Sequence, residues 1–177
     1  NNTNIGILLT MYSGMRIGEI CALKWSDIDL QSGIIRISKT VQRINDKIGN
    51  SKTKIIVGSP KSRTSEREIP IPNFLVNILN ERRQNENNYI LSGTHKLIEP
   101  RTMQNRFKSV LKKCGIRNVN FHLLRHTYAT VCIENGFDAK TVSELLGHSN
   151  VNITLNRYVH SSLDTKKKYV EKLNFVA

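Results

Sequence analysis

Two arginines, two histidines, a lysine and a tyrosine in this chain are the residue types that metal-free cleavage of a phosphodiester would need. The transition state of that reaction concentrates negative charge on two non-bridging oxygens, and a planar guanidinium fork matches such a pair. A nucleophile must attack phosphorus, and a general acid must protonate the departing sugar oxygen. Arg16 follows the glycine-containing turn Ser13-Gly14-Met15 and opens a helix, whose N-terminus itself favours phosphate. His122 and Arg125 are three apart, so on a helix they point to one side. His148 follows Gly147 at a helix end, where a polar side chain can project into a cleft, and Tyr158 lies further on. Lys61 sits on a turn between two strands, from which a flexible side chain can reach substrate.

Each residue alone has an ordinary explanation. An arginine on a helix is usually a solvated surface cation, and a single tyrosine is usually a partly buried core residue. His122 and His126, four apart, have the spacing of a metal pair but lack the glutamate of HExxH and a clear third ligand. The functional reading rests on the constellation.

The elements that must position these residues follow from periodicity and punctuation. Residues 4–12 read as a buried helix stopped at Ser13-Gly14, and a second helix carries Ile17, Ile20, Cys21 and Leu23 on its apolar side, with Arg16 and Glu19 on one face. Ile34, Ile35 and Ile37 mark a strand, Ile55 to Val57 a second, and Arg67 to Ile71 a third with edge-type prolines. Residues 38–53 are polar and basic and read as a hairpin loop, and 58–65 as a turn with the exposed cations Lys61 and Arg63. Helices are expected from Asn73 onward, over Thr102 to Cys114 closed by Gly115, over 121–135, over 139–146 stopped at Gly147, and over 152–159. The expected fold is mainly α with one small antiparallel β-sheet, an α+β domain without internal repeats.

Bulk properties narrow the partner. The 177 residues suit one domain, and 27 Lys+Arg against 14 Asp+Glu give a net charge of +13, which attracts polyanions, nucleic acid first. A ribosome-associated or merely basic protein is the plain alternative. No run of about 18 apolar residues suggests a membrane helix. Cys21, Cys114 and Cys132 lie in apolar stretches without zinc spacing and read as buried, reduced thiols. The chain begins Asn1-Asn2, which suggests a piece of something longer.

In order, Ser13-Gly14-Met15-Arg16-Ile17-Gly18-Glu19, Pro60-Lys61, His122-Leu123-Leu124-Arg125-His126-Thr127, Leu146-Gly147-His148 and Tyr158 resemble the signature of tyrosine recombinases. In look the sequence is most similar to integrases of conjugative transposons and temperate phages of Gram-positive bacteria. The resemblance implies that Tyr158 is the nucleophile, forming a 3′-phosphotyrosyl link and leaving a 5′-hydroxyl. It implies that Arg16 and Arg125 clamp the scissile phosphate, that His122 and His148 add hydrogen bonds, and that Lys61 is the general acid. His122 is also a candidate for moving the tyrosine proton, and Glu19 would orient cationic groups.

The phosphotyrosyl bond conserves energy, so the implied reaction uses no metal, ATP or other cofactor. Leu123 stands where the family more often has Asp, which touches local packing alone.

The implied partner is double-stranded DNA, read by base edges and shape through surface cations such as Lys52, Lys54 and Arg63. The resemblance also implies a C-terminal catalytic domain over 1–177, with core-binding and arm-binding domains absent from this stretch, and a tetrameric synaptic complex for the full-length protein. The isolated stretch is expected to be a monomer or weak oligomer that binds DNA weakly, in a bacterial cytoplasm at the nucleoid. Leu163, Val170 and Leu173 form an apolar strip in the tail that could pack on its own domain or on a neighbour. A type IB topoisomerase-like enzyme and a non-catalytic basic DNA-binding module are the rival readings.

Overall fold

A computed structural model describes residues 2–46, 52–60, 63–158, 167, 170 and 171, with Arg63 described through its backbone alone. Helix α1 (Asn2–Ser13) ends at Gly14, whose φ of 63° lets the chain turn sharply before α2 (Ile17–Ala22). A 3-10 turn over Trp25–Asp27 leads into β1 (Ile28–Asp29). Then come β2 (Ile34–Ile37), β3 (Thr40–Asn45), β4 (Thr53–Gly58) and β5 (Arg67–Pro70). The rest is helical: α3 (Asn73–Asn80), α4 (Pro100–Lys113), α5 (His122–Glu134), α6 (Ala139–Leu146) and α7 (Val151–Tyr158). The α+β class and the helix order match the expectation. Among the described residues no helix is long and apolar enough to cross a membrane.

The strands depart from the single sheet expected. β1, β2 and β5 form one antiparallel sheet in the order β1-β2-β5, and β3 pairs only with β4 in a separate hairpin. Residues 40–45, read from the sequence as loop, are β3. Their register sets Val41 opposite Val57 and Arg43 opposite Ile55. Val41 is the one fully buried residue of β3, so the local apolar signal is weak and pairing with β4 supplies the structure. Gly18 permits this hairpin to lie against α2, because a Cβ there would sit 2.5 Å from Thr40 Oγ1 and 2.7 Å from the Val41 carbonyl oxygen.

The main core gathers Leu9, Ile20, Ile35, Ile69, Leu75 and Phe107 between the three-stranded sheet and helices α1 to α4. Phe107 and Phe121 meet edge to face at 5.3 Å, tying α4 to the start of α5. A smaller cluster of Ala129, Cys132, Val142 and Leu146 fastens α5 to α6, and Tyr128, Ile133 and Tyr158 pack on its margin. This second cluster sets the position of α7 and hence of Tyr158. Cys21 and Cys132 are buried as expected, but Cys114 is exposed. It is the C-cap residue of α4, one position past the last helical residue, and the buried stripe of Met103, Phe107 and Leu111 ends before it. Of the tail strip, Leu163 and Leu173 lie outside the described residues, and Val170 is exposed.

Candidate active site

Three arginines converge on the C-terminal end of α6. The Asp138 carboxylate starts this helix by accepting the Thr141 N–H at 2.9 Å, and Gly147 stops it with a φ of 64°. The last carbonyls of a helix have no intrahelical partner and carry the negative end of its dipole. Here three consecutive ones are taken by guanidinium groups. Arg67 Nε donates to the Leu145 oxygen at 2.6 Å, Arg125 Nη2 to Leu146 at 2.7 Å, and Arg16 Nη2 to Gly147 at 3.1 Å. The N-cap of α2, β5 and α5 thus meet at one helix end.

Glu19 sits between two of these cations. Its carboxylate accepts the Arg16 backbone N–H at 2.8 Å and Arg16 Nη1 at 2.8 Å, and it takes Arg67 through Nη1 at 3.1 Å and Nη2 at 2.9 Å. Burial pushes the Glu19 carboxyl up, but hydrogen bonds and charge from Arg67, then Arg16, outweigh this and hold it below its ordinary value. A carboxylate, not an open anion seat, therefore occupies part of the α2 N-terminus that the sequence suggested for phosphate.

Arg125 forms the floor, with 2% of its surface exposed. Its Nη1 donates to the Gly14 carbonyl at 2.8 Å, which adds the α1–α2 turn to the assembly. A guanidinium carries five N–H donors, so these two bonds leave others unspent. Burial, then the nearby Arg16 charge, pushes Arg125 down to about 9, which leaves it cationic at neutral pH.

Beside the arginines opens a cleft of about 420 Å³ whose lining includes Arg16, Glu19, Ser65, Gly147 and His148. His148 Nδ1 lies 2.8 Å from the hydroxyl of Thr154, a fully buried residue of α7. Burial and the charges of Arg125, Arg16 and other arginines hold His148 down to about 4, so its ring is neutral at physiological pH. Pro60 also lines the cleft. Lys61, the next residue, lies outside the described residues.

Tyr158 ends α7 partly buried against α5, and its hydroxyl lies 2.8 Å from His126 Nδ1. His126 in turn meets His122 with perpendicular rings and centroids 4.6 Å apart. Burial raises the Tyr158 phenol above its ordinary value, and the charges of Arg125 and Arg157 oppose that shift.

The structure thus brings together Arg16, Glu19, Arg125 and His148, and sets His122 and Tyr158 on the adjoining α5–α7 face. Lys52 and Lys54 lie apart at the exposed β3–β4 hairpin, where Lys54 faces Asp46 at 3.6 Å. Sequence reasoning did not single out Arg67, which sits in a strand with no motif of its own. It weighed His126 only as half of a metal pair, whereas its i,i+4 spacing from His122 signalled a shared helix face. That face turns to Tyr158.

The chain matches the phage integrase family over residues 2–164 and belongs to it. It is 36% identical over 186 residues to a tyrosine recombinase XerC-like protein of Caldanaerobacter subterraneus subsp. tengcongensis, an alignment covering 94% of this chain and 48% of that protein. It is 25% identical over 186 residues to the transposase of transposon Tn916 from Enterococcus faecalis, covering 95% of this chain and 44% of the other. The chain spans about half the length of the curated relatives it matches. A solved structure of the Tn1549 transposon integrase in complex with transposon right end DNA superposes with a TM-score of 0.76 at 23% identity, over 97% of this chain and 58% of the other.

Proposed function

We propose that this chain carries the active site of a site-specific DNA recombinase of the integrase type, acting in integration or excision of a mobile element. The observation that carries this reading is the anchoring of Arg16 and Arg125 on adjacent carbonyls at the end of α6, beside His148. Two guanidinium groups held at one point are suited to the two non-bridging oxygens of a phosphodiester. Tyr158 attacks phosphorus, forming a 3′-phosphotyrosyl bond and releasing a 5′-hydroxyl. Lys61 protonates that leaving oxygen, His122 and His148 donate hydrogen bonds to the phosphate, and Glu19 holds Arg16 in place. In the reverse step a 5′-hydroxyl attacks the phosphotyrosine and frees Tyr158.

The partner is double-stranded DNA, consistent with the DNA complex of the similar Tn1549 integrase. Lys52, Lys54 and Arg63 contribute contacts that read base edges and DNA shape. We place the full-length protein in a tetrameric synaptic complex at the bacterial nucleoid.

The test is covalent capture. The protein is incubated with a randomised pool of nicked duplexes, and denatured protein–DNA adducts are collected and sequenced. Adducts enriched in one site, and absent with Tyr158→Phe, support the reading. Retention of DNA only under native conditions supports a non-catalytic binder, and relaxation of supercoiled DNA without strand exchange supports a topoisomerase.

A further inference from the structure

We infer that His126 is a catalytic residue, the base that takes the phenolic proton of Tyr158 during attack and returns it during rejoining. The inference rests on the recombinase reading above but assigns a role outside the residues by which that reading is made. The tyrosine oxygen that would attack phosphorus lies 2.8 Å from His126 Nδ1, and its other side-chain partner, Arg157, is a guanidinium that donates but cannot take a proton. His122, the candidate that the family resemblance gives for this proton, meets His126 edge-on with centroids 4.6 Å apart, whereas the His126 ring is the one at hydrogen-bond distance from the phenol.

The geometry is built in. His126 follows Arg125 on α5, and the buried Arg125 fixes the rotation of that helix through Gly14 and Leu146. That rotation aims His126 at α7, where Tyr158 is the last residue. His122, one helical turn earlier, stands perpendicular to the His126 ring and restricts its swing.

The electrostatics agree. A half-buried phenol raised above its ordinary value is not a preformed phenolate, so its proton must leave during the attack itself. The charged groups facing His126 are Arg125 on its own helix and Arg157 on α7, and burial and these two charges keep the imidazole below its ordinary value. The ring is therefore neutral before reaction, and with its proton on Nε2 the Nδ1 atom accepts from the phenol.

The step balances as follows. As the Tyr158 oxygen–phosphorus bond forms and the phosphorus–O5′ bond breaks, the phenolic proton passes to His126 Nδ1. A separate acid protonates O5′. On rejoining, a 5′-hydroxyl gives its proton back to the conjugate base of that acid and displaces the phenolate, which recovers its own proton from His126.

Single-turnover adduct formation with the captured nicked duplex tests this, using the full chain, His126→Ala and His126→Asn. Asn keeps a hydrogen-bond acceptor near the Nδ1 position but cannot take the proton. Both variants are expected to slow adduct formation about 100-fold, the scale of general-base catalysis, while DNA affinity stays unchanged. Free imidazole is expected to restore His126→Ala and not Tyr158→Phe. A sulfur in place of the bridging 5′-oxygen, which departs without protonation, is expected to leave both His126 defects in place.

Parent-like rates in His126→Asn would overturn the inference, as would rescue by the 5′-sulfur or a failure of imidazole to rescue a DNA-binding His126→Ala. If His126→Ala does not fold, the Asn variant decides. Absence of any adduct from the parent protein overturns the recombinase reading and this inference with it. Adduct formation by the parent with equal rates in the variants overturns this inference alone.

Discussion

Arg67 grips Glu19 through both terminal guanidinium nitrogens, at 3.1 and 2.9 Å, with the two side chains almost wholly withdrawn from solvent. Removing one partner strands a buried charge, so Arg67→Ala is expected to cost about 3–5 kcal/mol in urea unfolding. Arg67→Lys, which loses the planar fork, is expected to recover little of it. Both should also slow adduct formation, because Glu19 loses half of its clamp and Arg16 shifts with it.

Acid stability carries the same pair. The folded Glu19 carboxyl lies below its ordinary value of 4.5, so the unfolded chain binds its proton first as pH falls. The contribution is complete above the unfolded value and is lost as pH drops through the folded one. Urea stability of the parent should therefore fall more steeply below about pH 4.5 than that of Glu19→Gln.

Gly147→Ala should fold poorly. Its left-handed φ of 64° disfavours a Cβ, and that atom would lie 3.0 Å from the Thr64 carbonyl oxygen and 3.1 Å from the Arg67 side chain. Backbone strain alone is worth about 1–2 kcal/mol, and a drop in thermal midpoint would report it. Adduct formation should fall further than stability, since the Gly147 carbonyl holds Arg16 and the next residue is His148.

Lys61→Ala should slow cleavage of an ordinary duplex and be restored by the bridging 5′-sulfur, since a thiol, with a pKa of about 8.5, leaves without an acid. A defect that sulfur fails to restore would remove Lys61 from the acid's role.

His148 should titrate near 4 when followed by NMR, well below a solvated imidazole. A midpoint close to 6.5 would mean that the ring is not enclosed by Thr154 and the arginines as described.

The three thiols should separate kinetically. In the native protein Cys114 should react rapidly with a disulfide reagent, whereas Cys21 and Cys132 wait for unfolding. Burial, which pushes the Cys21 thiol up to about 12, reinforces the difference.

The helices were legible because their punctuation is local: Gly115, Gly136 and Gly147 all take left-handed φ at the ends the sequence marked. The candidate constellation could be proposed from the sequence because residue type and order mark it without geometry. β3 was not legible, since Gln42 and Arg43 dilute its pattern and its partner strand lies beyond a polar loop. Arg67 was hidden for another reason. Its importance comes from what folds around it, the carbonyls of Ser65 and Leu145 and the Glu19 carboxylate, and no spacing rule links those positions.

The end of α6 has a consequence for how the molecule comes into being. Arg16, Arg67 and Arg125 precede the carbonyls that secure them, and the phenol comes later still. A chain still threading from the ribosome, or cut short before residue 145, lacks the carbonyls on which these three guanidinium groups converge and leaves them only their partners at Glu19, Ser65 and Gly14. The three cations therefore converge only once α6 has been made, and their cluster is a late product of folding rather than a feature of the early elements that carry them.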